Sequence, residues 1–503
     1  MRKHRRCAIE GKRKVHFIEF VMLSSILKNK IVVYLASRYG TYALQFFISL
    51  IIAAKLGPYY MGLYGVVLLI IGYFAQFHFG IANSLNILLV HNKENREKYN
   101  NYVANSLILV AVLGGIIVLL FLYYWIFGIG YIKELMVENY LPYICAIAVL
   151  EHFDGVFTNV LRVKNYVTQI TIIQSLNVLC NTAVVCFFGG KDLVLALVIS
   201  LLVSNVLKAI IAVYCKILPK IKDFQISNQT QKEILSKGFC LFIYNSCLMF
   251  VLIAVRTLIS GNYTLEQFGY FTFSFTIANA VMLLLDSLAF IIFPKLIDVL
   301  SSKDMKKVNN SMSLIKDLYI STAHMFIYIA MLLFPVLLWF MPQYKDALTS
   351  MNLIALTVLM STNTFGYSTF LLAQNKEKIA AILAFSTMVI SVCAGLLFVK
   401  VLHVEFDQVI LSTLITYLIY SIACMAVGEG IIGENGFLAS LKSAFPIRLF
   451  IPFSVALVLA ILKMETMLFI PIVLYVVLNV RTIKTIYSYV RQLLNNPNIT
   501  DIN

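Results

Sequence analysis

Few side chains in this sequence could do chemistry, and most of them lie inside long apolar runs, where charge is expensive. Glu151 and Asp154 stand three residues apart with His152 beside them. Three residues is close to one helical turn, so the two carboxylates share a helix face. Such a pair can carry a proton or balance a cation; facing hydrocarbon, each charge would cost on the order of several kcal/mol. Asp286 stands alone in Val281–Phe293, where a helix–helix hydrogen bond and a role in ion coupling or gating are both open. The embedded cations are Arg38, Lys208 and Arg256. A guanidinium can fork onto two phosphate oxygens. The competing reading of all three cations is snorkelling, the stem lying in apolar surroundings and the charge reaching the interface.

Other polar groups carry less. His78 and His324 have no second ligand at metal spacing and read as packing residues; no metal or cofactor is expected. Tyr123, Tyr124 and Tyr367 could stack on sugar rings or anchor helix ends at the interface. The nine cysteines form no CxxC or Cys/His pattern. No GxGxxG, Walker loop, GxSxG or HExxH occurs, so nucleotide hydrolysis and standard hydrolase chemistry lack their motifs and a non-enzyme is expected.

The elements that must position these groups are legible in composition. Of 503 residues 60% are hydrophobic and 13% charged, with a mean hydropathy of +0.87. A soluble chain would carry about twice that charge. Apolar runs of about 18–25 residues follow one another with short polar gaps, the length that crosses a hydrocarbon core as helix. The fold class is therefore all-α and polytopic, with about fourteen spans: 31–54, 63–90, 102–128, 141–161, 169–188, 193–215, 239–260, 268–294, 317–341, 349–372, 379–400, 409–428, 447–463 and 467–481. Residues 1–30 read as a basic cytoplasmic tail with an interfacial amphipathic helix that touches membrane lipid, and 482–503 as a second cytoplasmic tail. The organisation expected is a first lobe over 31–215, a linker over 216–238, a second lobe over 239–428 and two trailing spans over 447–481.

The net charge of +16 is distributed by side. About six of the 40 Lys and Arg fall in odd loops or at their edges (Lys55, Lys133, Lys191, Lys345, Lys400 and Lys463), Arg38, Lys208 and Arg256 lie well inside spans, and about 31 lie in even loops, in tails or at the span ends that face them. The positive-inside bias therefore places both termini in the cytoplasm and explains the charge without nucleic acid.

The chain also repeats itself. Leu56-Gly57-Pro58 must end one helix, since Pro lacks an amide hydrogen and Gly resists helix, and Gly62-Leu63-Tyr64 opens the next; Gly269-Tyr270-Phe271 follows about 207 residues later. Span 4 closes on Gly155 and Leu161 as span 10 closes on Gly366 and Leu372, an offset of about 211. Six spans separate the copies, so the halves run parallel, with a site expected between them near mid-membrane.

With Phe79-Gly80-Ile81-Ala82, Phe293-Pro294-Lys295-Leu296 and Leu372-Ala373-Gln374-Asn375-Lys376, these segments resemble the oligosaccharide flippase (Wzx-like) family of the multidrug/oligosaccharidyl-lipid/polysaccharide exporter superfamily, over roughly residues 30–480. The resemblance implies two six-helix lobes that rock about a central cavity, two trailing helices, and movement of an undecaprenyl-diphosphate-type oligosaccharide, such as an O-antigen or capsule repeat unit, across a bacterial inner membrane. It implies other polysaccharide-assembly proteins as neighbours. Under this reading Arg38, Arg256 and Lys208 meet substrate, and Glu151, Asp154 and Asp286 serve ion coupling or gating. A drug/cation antiporter or lipid II flippase of the same superfamily is the nearer alternative; a polysaccharide polymerase is more distant, since its large outer loop is missing here.

Overall fold

The computed structural model describes residues 30–128, 137–219, 225–433 and 446–495, with backbone alone at 30–38, 167, 282, 284–298 and 489–495. The basic tail and interfacial helix expected over 1–30 lie outside the described residues except for Lys30, which begins the first helix. The described chain is helical and, by the same measure, without strands. In chain order the helices are α1 Lys30–Ala75, α2 Ile81–His91, α3 Arg96–Phe127, α4 Leu141–Val163, α5 Val167–Phe187, α6 Gly190–Tyr214, α7 Asn228–Asn262 and α8 Leu265–Leu300. There follow α9 Met305–Ile315, α10 Ser321–Phe340, α11 Leu348–Thr362, α12 Phe365–Ala373, α13 Glu377–Leu396, α14 Ile410–Ile432, α15 Ile447–Ile461, α16 Ile470–Leu478 and α17 Val480–Asn495. Among the described residues nine helical segments are long and apolar enough to cross a membrane, ten with the bent pair Glu465–Leu478 and Val480–Ser488.

Each of the fourteen predicted spans falls on a helix or a broken pair. α1 holds the first span and most of the second, kinked at Gly57 (φ 67°), with Pro58 inside. The second span breaks at 76–80, where Phe79 and Gly80 take positive φ, and the tenth between α11 and α12. Several edges differ from the sequence reading, two of them in what was expected to be linker or tail. α7 begins at Asn228, where Ser227 caps it by accepting from the Thr230 amide (3.2 Å), so the second part of the expected linker is helix. The expected C-terminal tail is helical through Asn495, and the break before it bends the chain by 75°.

The duplication is visible in backbone hydrogen bonds. α4 closes with Lys164, Asn165 and Tyr166 donating to Val160, Arg162 and Leu161, and α12 with Gln374, Asn375 and Lys376 donating to Phe370, Leu372 and Leu371. Asn165 and Asn375 both sit left-handed (φ 58° and 55°), the conformation an Asn tolerates at a helix end. This fixes the register at 210 rather than 211. One residue matters here, because Leu161 and Leu371, both buried, are then the equivalent pair.

Packing follows the halves. In the first half α4 packs on α3 and on α6, and α5 on α6; in the second half α7 lies along α13, and α14 meets α11 and α13. The trailing α15 packs on α11 and α16. The halves meet mainly through α1 on α8, with α2 and α3 against α7.

Candidate transport site at the junction of the halves

At the outer end, as the charge bias defines it, the junction is made of backbone. A Cβ on Gly62 would fall on the carbonyl of Leu265, and one on Gly269 on the carbonyl of Pro58. One turn on, a Cβ at Gly65 would fall on the Thr272 side chain. Positions 62 and 65 thus oppose 269 and 272, their own repeat equivalents, as expected where a pseudo-two-fold axis passes between α1 and α8. Glycine is required at 62 and 269 because any larger side chain would separate the two helices.

The kink in α1 supplies the rest of this seam. Pro58 has no amide hydrogen and Gly57 leaves the helical conformation, so the carbonyls of Ala53 and Ala54 lose their usual donors. Tyr344 Oη donates to Ala53 O (2.9 Å) and Gln343 Nε2 to Ala54 O (3.0 Å). Tyr344 is fully buried and stacks on Phe273 at 4.2 Å.

Arg256 sits on the same junction. It extends from α7 and donates through Nη2 to the Gly65 carbonyl (3.2 Å), with Phe275 and Phe268 at 5.3 and 6.0 Å from the guanidinium carbon. Its Nε is buried without a hydrogen-bond partner, and no carboxylate pairs with it among the described residues. Beside it Tyr73 of α1 and Thr257 of α7 share a hydrogen bond of 2.5 Å. The headgroup that snorkelling would need is replaced by α1 and two aromatic faces.

At the inner end the seam is built from side chains around one backbone contact. Gly80, left-handed at the start of α2, meets Gly238 of α7 so closely that a Cβ on either would fall on the other's carbonyl. Around this contact the buried Asn105 of α3 donates to Gln225 O (3.0 Å) and accepts from the Ser227 amide (3.0 Å) and Gln231 Nε2 (3.3 Å). Tyr102 donates to Glu233 (2.9 Å) and Asn101 to Thr230 (3.2 Å). Asn105 carried no signal in the sequence: one Asn in an apolar helix does not reveal its partner 120 residues away.

The remaining candidates separate into three groups. Lys208 of α6 pairs with Asp154 of α4 (3.4 Å) and donates to Asn205 Oδ1 (3.0 Å), so this cation is neutralised within the first half. Glu151, one turn from Asp154 and half-buried, forms no hydrogen bond among the described residues, and the buried His152 keeps Nε2 without a partner. The structure does not join Lys208 to Arg256. Arg38 and Asp286 lie on α1 and α8 with backbone alone described, so their side-chain placement lies outside the described residues.

The packing readings of two other groups find partners. His78 Nδ1 accepts from the Gly80 amide (3.0 Å), and His324 lies buried on Tyr328 Oη (2.9 Å). Tyr367 is buried and donates to Glu429, which places it on neither a sugar face nor an interface. Glu429 was missed because the predicted edge of span 12 stopped at 428; the helix runs to Ile432. The trailing helices are tied in by Arg448, which donates to Asp317 and Thr482.

Solved structures share this architecture. An inward-facing multidrug resistance transporter of the MATE family in the MOP superfamily superposes with a TM-score of 0.62 at 15% identity, over 80% of this chain and 98% of that one. An outward-facing transporter of the same description gives 0.57 at 17%, over 80% and 95%. A MOP-superfamily transporter from Pyrococcus furiosus, described as having a binding pocket of reversed polarity, gives 0.56 at 17%, over 80% and 94%. No curated protein sequence matches significantly. The fold is therefore that of the MOP-superfamily transporters, a polytopic membrane architecture. By sequence, the chain belongs to the polysaccharide biosynthesis protein family, whose model matches residues 27–300.

Proposed function

We propose that the protein is a flippase for a polyprenyl-diphosphate-linked oligosaccharide, carrying it across a bacterial cytoplasmic membrane by alternating exposure of the space between its halves. The observation that carries this reading is Arg256, a guanidinium on the junction with no carboxylate partner among the described residues. A diphosphate needs such a cation in a site shielded from water, and an Arg can bind it with two hydrogen bonds. Membership in a polysaccharide biosynthesis family supports a saccharide cargo. Arg38, on the first half of α1, is the second cation assigned to the diphosphate. Lys208 is assigned to substrate only when Asp154 releases it, and Glu151, Asp154 and Asp286 are the carboxylates assigned to ion coupling or gating.

The test is complementation of glycan export at equal membrane abundance. Arg256→Ala and Arg38→Ala should lose at least about tenfold, the equivalent of one charge-assisted hydrogen bond, while the Lys variants keep part of the activity. Wild-type export from both Ala variants would refute the clamp. Because Arg256 also holds the Gly65 carbonyl, the thermal midpoint of each purified variant separates lost binding from lost packing. The proposed orientation, both termini cytoplasmic, is checked by reporter fusions: Gly190 should read outside and Lys232 inside, and the reverse pattern ends that model.

A further inference from the structure

We propose that a groove between α7 and α13, at the basic end of the bundle, binds the phosphate of an anionic membrane phospholipid. The groove has a volume of about 640 Å³, and its walls include Asn228, Lys232, Leu235, Ser236, Phe239 and Lys378. Along α7 its character changes with depth. Asn228, Lys232 and Ser236 recur every fourth residue and stack on one face, while Leu235 and Phe239 continue the wall toward the apolar part of the helix. Lys232 and Phe239 are seven residues apart, about 10 Å along the axis, the order of the distance from a phosphate to the first acyl carbons. Phe239 is 51% exposed and Leu235 37%, so an apolar surface lies open below the two ammonium groups.

Charge selects the occupant. Lys232 and Lys378 come from different helices, and among the described residues no carboxylate lines the groove and neither lysine forms an ion pair. The nearest acid on α7, Glu233, is already engaged by Lys237 (2.8 Å) and Tyr102 (2.9 Å). Two cations with no ion pair among the described residues, above an exposed apolar wall, fit a phosphodiester carrying an acyl chain; a zwitterionic lipid would bring its own cation to the same place. The groove lies beside the inner end of the junction, since Gln231, which donates to Asn105 there, also lines it; its two lysines have no part in the flippase reading, and the proposal does not rest on that reading.

The test uses the purified full-length protein in detergent, titrated with dioleoyl phosphatidylglycerol or dioleoyl phosphatidylcholine, with bound lipid counted by native mass spectrometry. The wild-type protein should bind at least one phosphatidylglycerol in preference to phosphatidylcholine. Lys232→Gln with Lys378→Gln should weaken that binding about thirtyfold, each lysine near a membrane surface being worth about 1 kcal/mol; the Lys→Arg pair should retain it. Lys306→Gln with Lys307→Gln, on another basic stretch outside the groove, is the control and should change little. Equal uptake of the two lipids by the wild type, or equal losses in both Gln pairs, would overturn the proposal. If the double Gln variant fails to fold, Lys378→Gln alone should still weaken binding about fivefold, and unchanged binding there counts against the site equally.

Discussion

The two ends of the junction between the halves are built differently. At the outer end α1 and α8 touch through helix backbone, and the crossing side chains end on main-chain carbonyls: Tyr344 and Gln343 on the two that the Gly57–Pro58 kink has freed, Arg256 on that of Gly65. At the inner end the same halves meet through a glycine in a turn and a network centred on one asparagine. The outer acceptors are fixed in the main chain, and neither helix can yield at Gly62 and Gly269 without moving as a body. The inner contact places a five-residue turn on one side, and water can substitute for its side-chain donors. The outer seam is thus the rigid one, and the inner seam the one that tolerates rearrangement.

The largest test of this difference puts the same bulk in each seam. Gly269→Val should destabilise by more than the roughly 1–3 kcal/mol typical of overpacking, because the conflict is with the Pro58 backbone. Export should be lost and the thermal midpoint should fall. Gly238→Val meets the turn at Gly80, which can shift, and its effect should be smaller. Equal losses in midpoint would break the distinction.

A finer test compares polar contacts. Asn105→Ala deprives the Ser227 amide, the Gln225 carbonyl and Gln231 of a partner at once, and should cost about 2–3 kcal/mol. Tyr344→Phe removes one bond and leaves the Ala53 carbonyl in a dry site, about 1–2 kcal/mol by the same reasoning. Urea denaturation of the two purified variants reads both. A larger loss from Tyr344→Phe than from Asn105→Ala would show the outer seam to depend on that hydroxyl more than on its helix contact.

Much of this architecture was legible beforehand, and one register was not. Hydrocarbon thickness sets helix length, so each apolar run read from the sequence falls on a helix or a broken pair; Pro58 and the glycines around it marked the kink. The duplication could be heard in Gly62 and Gly269, but the helix-end hydrogen bonds moved the second echo by one residue. Glu429 escaped because a polar residue near a span edge looks the same whether it lies in a loop or in the last helical turn.

Length, helical class, breaks and repeat were thus determined by local chemistry: each needs only neighbouring residues and the thickness of a bilayer. Which faces meet was decided by tertiary structure. In a soluble helix the buried face is apolar and the other polar, so the pattern betrays the contact. In a membrane the lipid is as apolar as a neighbouring helix, and that signal vanishes. The pairing of Lys208 with Asp154, the docking of Arg256 on the Gly65 carbonyl and the meeting of Gly62 with Gly269 join residues 54, 191 and 207 positions apart. Only the packing of whole helices brings them together.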